Sequence, residues 1–82
     1  MLPSELINRI NRDLAIELDI DENNITPNAD VRQTLNLDSM RALQIIIVVK
    51  RHCDIIIMPR QVPRITTFQS LYDFIEEKMQ KA

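Results

Sequence analysis

The sequence predicts a small all-α domain, in the order helix, long loop, helix, short turn, helix, and three observations carry that prediction. Between Ser4 and Leu18 the apolar residues Leu6, Ile7, Ile10, Leu14 and Leu18 recur three and four positions apart, as one face of a helix requires. At about 100° per residue, Ala42, Ile45, Ile46, Val49 and Cys53 share one face of a second helix. Thr66-x-x-Gln69 is a capping-box pattern, and Phe68, Leu71, Phe74, Ile75 and Met79 continue it as a helix ending near Lys81.

A chain of 82 residues is long enough for one core and too short for two, so residues 1–82 are expected to form a single domain. The 45% hydrophobic content supports a folded globule, and with two Phe, one Tyr and no Trp its core must be packed by aliphatic side chains. Cys53 is the single cysteine, so no internal disulfide can form and an oxidising compartment is not implied. Met1-Leu2-Pro3-Ser4-Glu5 lacks the basic patch and apolar run of a signal peptide, and no apolar stretch is long enough to span a bilayer. These features lead us to expect a soluble, cytoplasmic monomer with no membrane insertion.

The net charge of −2 is unevenly spread. Residues 1–37 hold three basic and seven acidic side chains, residues 38–64 five and two, and residues 65–82 two and three. A basic middle in an acidic chain suggests a partner surface of opposite charge. The patch is small for nucleic acid, and the scarcity of aromatics and the negative total argue against a nucleic-acid binder using residues 41–64.

Taken in order, the first helix has Ser4 as its expected N-cap. Residues 19–30 have turn chemistry without periodicity and read as a long loop pinned by Ile20 and Ile25. Residues 43–49 and 53–58 are rich enough in Ile and Val to read, by propensity alone, as two buried strands. Against that, Lys50-Arg51-His52 has none of the chemistry of a tight hairpin turn, and the chain contains no glycine. As a helix, the same stretch carries a second apolar strip, Met40, Leu43 and Ile47, beside the core face. One strip can enter the core while the other stays available to a partner. Pro59 and Pro63 bracket Arg60-Gln61-Val62, leaving room for one short helical turn.

Asp38-Ser39 stands where the loop meets the second helix. Taken alone, the pair reads as an ordinary helix cap. A helix N-terminus also presents unpaired N–H groups and a partial positive charge, which suit a phosphodiester built on a serine oxygen. His52 and Cys53 are adjacent on a helix and point about 100° apart, so they cannot converge as base and nucleophile. With one Cys and one His in the chain, a metal site has too few soft ligands. Cys53, Met58 and Met79 are expected to pack, and Met40 has the docking strip open to it as well.

Three motifs add context. Leu35-Asn36-Leu37-Asp38-Ser39-Met40 resembles the Leu-Gly-x-Asp-Ser-Leu of acyl carrier proteins, Cys53-Asp54-Ile55-Ile56-Ile57 their Phe-Asp-Ile-x-Ile, and Ile65-Thr66-Thr67-Phe68 their Ile-Thr-Thr-Val. The spacing among the three needs no insertion, and the resemblance runs from about Ser4 to Met79. It implies a four-helix bundle, three main helices plus a short third one, and resolves the strand ambiguity as a helix followed by an extended Ile55–Ile57. It also implies that Ser39 receives 4′-phosphopantetheine from coenzyme A, with Asp38 recognised by the phosphopantetheinyl transferase and its Mg²⁺-bound coenzyme A. The helix from Ser39 would be the docking surface, through Met40, Leu43 and Ile47.

Departures from the pattern carry information too. Asn36 and Asp19 replace family glycines, and Asn and Asp are the non-glycine residues most tolerant of positive φ. The family's docking helix is acidic, whereas Arg41, Gln44, Lys50, Arg51 and His52 stand here. Arg41, Lys50 and Arg51 are therefore expected to meet acyl-loading, acyl-transfer or synthase enzymes with acidic docking surfaces. Pro63 falls in the short third helix, which it would truncate or kink, altering one wall of the acyl cavity. The expected protein is a carrier that catalyses nothing itself. It would hold an acyl group as a thioester and deliver it to enzymes of fatty-acid, lipid or secondary-metabolite synthesis. The alternatives are an aminoacyl or peptidyl carrier and an unloaded, carrier-like interaction module.

Overall fold

In the computed structural model, which describes residues 2–81, the first helix, α1, spans Ser4–Leu18. It buries Ile10, Leu14, Ala15 and Leu18, the face expected from the spacing. Ser4 is not its cap: Pro3 occupies that position and Ser4 is the first helical residue, with no side-chain capping bond. The fixed φ of proline is already suited to this place, and Pro3 contributes a carbonyl to Ile7 N–H at 3.1 Å. Asp19 ends the helix in the left-handed region (φ 55°, ψ 53°), its N–H turned back to Ala15 and Ile16 carbonyls.

The long loop is more structured than its composition suggests. Asp21 accepts from Asn23 N–H at 2.9 Å and caps a 3₁₀ turn, Glu22–Asn24. Ile25 is buried behind it and Ile20 packs partly against the core. A short helix, α2, follows at Val31–Leu35, capped by Asp30, whose carboxylate accepts from Gln33 N–H at 2.9 Å. Val31 and Leu35 are both fully buried. The Asp30-x-x-Gln33 spacing ahead of a buried leucine is itself a helix-start pattern, and it is the signal that reading residues 19–30 as loop passed over. The helix beginning at Ser39 is thus third in chain order.

That helix, α3, spans Ser39–Cys53. Ile45, Val48 and Val49 are buried, Ala42, Ile46 and Cys53 pack partly against the core, and Asp54 closes the helix in the left-handed region. The expected core face is correct, with Val48 added to it. After α3 the chain is extended, with Ile55 and Ile57 buried and Ile56 exposed between them. This period-two pattern is what propensity scored as a strand, yet among the described residues the only β-pairing is an isolated bridge, Asp30 with Thr67.

Pro59–Arg64 forms a 3₁₀ segment with Pro59 in its first turn and Pro63 inside. A 3₁₀ geometry accommodates the second proline where a continuing α-helix would lose a hydrogen bond. Gln61 steadies its start by accepting from Met58 N–H at 2.9 Å. The last helix, α4, is Phe68–Lys81. Its capping box lies one residue later than Thr66-x-x-Gln69: Thr67 Oγ1 accepts from Ser70 N–H at 3.1 Å, and Ser70 Oγ accepts from Thr67 N–H at 3.0 Å. Gln69 instead pairs with Asp73 along the helix.

The pieces close around one core, with Phe68, Leu71 and Ile75 of α4 fully buried against α1 and α3 residues. α1 and α3 run antiparallel, because Asp13 meets Arg51 and His52 while Leu18 meets Arg41. The loop before α2 is stitched to the loop before α4 by Val31 N–H to Thr66 C=O at 2.9 Å, Phe68 N–H to Ala29 C=O at 3.3 Å and Gln69 N–H to Pro27 C=O at 2.9 Å. This stitch holds together Asp30 and Thr66, which line the same cleft as Ser39. The all-α class and the four-helix bundle are as expected, with α2 as an addition and the short helical turn at Pro59 in 3₁₀ form.

Candidate attachment site at the start of the third helix

The chain reaches Ser39 through two constrained residues. Asn36 sits in the left-handed region (φ 51°, ψ 55°) and returns its N–H to Arg32 and Gln33 carbonyls, ending α2. The family glycine at this position is replaced by a residue that tolerates the conformation, and the turn survives. Leu37 then packs partly against the core. Asp38 is extended (φ −136°, ψ −173°), and its carboxylate accepts from Arg41 N–H at 2.8 Å.

Asp38 therefore does the capping, and Ser39 does not. Ser39 is the first helical residue, exposed, and its hydroxyl makes no hydrogen bond among the described residues. It stands at a helix N-terminus whose free N–H groups and partial positive charge favour a phosphate. Beside it opens a cleft of about 520 Å³ between α3 and the 59–64 segment. Leu37, Ala42, Leu43, Ile46, Val62 and Ile65 supply most of its apolar lining, with Pro59 and Pro63 on the far wall. Asp30, Arg32 and Thr66 add polar groups at its edge. An exposed hydroxyl at a helix start, next to an apolar cleft, fits a phosphate-linked arm with an apolar cargo.

Along α3, Met40, Leu43 and Ile47 are 71%, 51% and 54% exposed, so the second apolar strip faces outward. The cations of α3 are placed otherwise than a bare sequence suggests, because each has a partner inside the chain. Arg41 is half-buried and its guanidinium donates to Leu18 C=O at 3.1 Å and Leu35 C=O at 3.3 Å. It ties the carboxyl ends of α1 and α2 to the turn that carries Ser39, where a cation is favoured by both helix dipoles. Lys50 pairs with Asp54 at 2.5 Å, which holds that carboxyl below its usual range. Arg51 bridges to Asp13 at 2.7 Å and Glu17 at 3.2 Å, and its pKa is raised by the hydrogen bond to Asp13 first and Glu17 second. His52 Nε2 lies 2.8 Å from the same Asp13 oxygen. None of these long-range pairings leaves a mark in local spacing, since Arg51 and Asp13 stand 38 residues apart.

Cys53 and His52 do not form a reactive pair: His52 is turned to Asp13, and burial pushes the Cys53 thiol up, away from the thiolate a nucleophile needs. Among the described residues, no group of three or more His, Cys, Asp or Glu side chains is placed to hold a metal ion, and no helix is long and apolar enough to cross a membrane.

A small helical bundle presenting an exposed serine at a helix start fits a carrier protein, and comparison with known proteins agrees. Residues 8–75 match the family described as the phosphopantetheine attachment site. The chain belongs to that family, whose site is the point of covalent 4′-phosphopantetheine attachment in acyl carrier proteins. It is also 25% identical over 79 residues, 96% of this chain and 98% of the relative, to an acyl carrier protein of Thermosynechococcus vestitus (strain NIES-2133 / IAM M-273 / BP-1).

Proposed function

We propose that Ser39 is the attachment residue and that this chain is a monomeric, single-domain, cytoplasmic carrier of acyl groups for fatty-acid, lipid or secondary-metabolite synthesis. One observation carries the reading: Asp38 caps α3, which leaves the Ser39 hydroxyl exposed and unengaged beside an apolar cleft.

In loading, the Ser39 oxygen gives up its proton and bonds to the phosphorus of coenzyme A that bears the pantetheine, and the adenosine bisphosphate half leaves. The carboxylate of Asp38, exposed and one residue away, is the group a transferase can read. Once attached, the arm supplies a terminal thiol that holds an acyl group as a thioester. The chain itself does three things. The N-terminus of α3 stabilises the phosphodiester charge. The cleft shelters apolar cargo from water, each buried methylene contributing about 0.8 kcal/mol. The Met40, Leu43 and Ile47 strip offers a modest apolar contact from which partners can dissociate, and tethering raises the effective concentration of cargo at each active site.

The test is intact-mass measurement after incubation with coenzyme A and a phosphopantetheinyl transferase. One arm is added to the natural chain and none to Ser39→Ala. No addition by the cognate transferase supports an unloaded interaction module and overturns the carrier reading.

A further inference from the structure

We propose that an acidic partner enzyme is steered to this carrier by Arg32 in the cleft lining and by Arg60 and Arg64 on the segment that walls the cleft, rather than by the cations of α3. The inference deepens the function proposed above and rests on it.

The observation behind it is an inventory of charge. Arg41 is bound to two backbone carbonyls, Lys50 to Asp54, and Arg51 to Asp13 and Glu17. Lys50 and Arg51, each paired with a carboxylate, present beyond a Debye length of about 8 Å a dipole rather than a net charge. Their reach towards a partner is correspondingly short, whereas Arg41 keeps its charge but is half-buried and turned onto carbonyls. Arg60 and Arg64, on the 3₁₀ segment that forms the far wall of the cleft, are both exposed and make no ion pair among the described residues. Arg32 lines the same cleft, is exposed, and is likewise unpaired among the described residues. Asp30 and Asp38 also line it, and each carboxylate accepts a backbone N–H at a helix start, where a partial positive charge of at most about half a unit offsets it in part and leaves the three arginines in excess.

The placement suits a docking surface. Leu43 belongs both to the exposed strip of α3 and to the cleft lining, so a partner seated on the strip reaches the mouth of the cleft. The segment leading into the far wall exposes Ile56 and Met58, apolar side chains close in sequence to Arg60. A protein surface with carboxylates around its active-site entrance matches this arrangement: apolar contact for adhesion, three cations for encounter.

The probe is loading by purified phosphopantetheinyl transferases, one with an acidic rim around its coenzyme A pocket and one with a basic rim, followed by mass across a range of salt concentrations. With the acidic-rim enzyme, Arg60→Gln/Arg64→Gln is expected to lower kcat/KM about tenfold at low salt, leave kcat unchanged and flatten the salt dependence. Arg12→Gln/Lys78→Gln, an equal loss of charge on α1 and α4, is expected to change kcat/KM less than about twofold. The basic-rim enzyme is expected to gain from the Arg60/Arg64 change. A loss for Lys50→Gln/Arg51→Gln equal to or larger than that for Arg60→Gln/Arg64→Gln overturns the inference while leaving the carrier reading intact. A salt-sensitive dimer in sedimentation, abolished by Arg60→Gln/Arg64→Gln, reassigns the patch to a second copy and also overturns it. No arm added by either enzyme overturns the carrier reading, and this inference with it.

Discussion

The carboxylate of Asp38 caps α3, and the recognition role proposed for it can be separated from that cap by two substitutions. Asparagine caps as well as aspartate, whereas alanine does not. Asp38→Ala is expected to cost about 1 kcal/mol in urea unfolding, and Asp38→Asn only a few tenths. If the transferase reads the negative charge, both variants load slowly despite that difference in stability. Arg41, three residues on, was legible as a cation but not as a clamp, because its acceptors are carbonyls, which no side-chain pattern reveals. Arg41→Met leaves the half-buried ends of α1 and α2 without their donor and is expected to cost about 1–3 kcal/mol, with part recovered in Arg41→Lys. Equilibrium unfolding in urea measures both.

Among the elements, α3 was the hardest to read and is the most informative. Its Ile-Ile-Ile-Val-Val run has strand propensity, yet the cap at Asp38, the left-handed stop at Asp54 and the burial of Ile45, Val48 and Val49 all agree on a helix. Tertiary packing overrides the preference of β-branched residues; helical periodicity separated two apolar strips, and the family resemblance pointed to the one that would be wet. The two sides are expected to answer differently to truncation. Ile45→Ala empties a buried site and costs about 2–5 kcal/mol. Leu43→Ala, half exposed, costs about 0.5 kcal/mol but weakens transfer of cargo to partner enzymes. Thermal or urea melts beside a transfer assay separate stability from docking. α2 was missed although Asp30-x-x-Gln33 signalled it, because the surrounding Asn, Asp and Pro residues outweighed a five-residue helix. The chain has no glycine, but Asp19, Asn36 and Asp54 take the left-handed positions at three helix ends, and the first two of these were legible because they stand where the resembled family has glycine.

At the scale of the whole molecule, the bundle was readable because local periodicity, caps and spaced motifs all point one way. The cleft and the pairing of charges were not, since both depend on which distant segments meet. Burial within the bundle also makes a statement about pH. The Cys53 thiol is pushed up, so its folded-state pKa lies above the unfolded one. Its contribution to stability is intact below the ordinary thiol pKa and declines as pH rises from there towards the folded-state pKa. Alkylation of Cys53 by iodoacetamide in the Ser39→Ala protein is accordingly expected to be slower than that of glutathione at mildly alkaline pH, and to accelerate on addition of urea. The central claim concerns Ser39, and the most direct measurement is the mass of the tryptic peptide 33–41 from the protein isolated from its native cell. One phosphopantetheine arm, free or acylated, on Ser39 of that peptide is the predicted result. A peptide found only unmodified, or an arm on another residue, contradicts it.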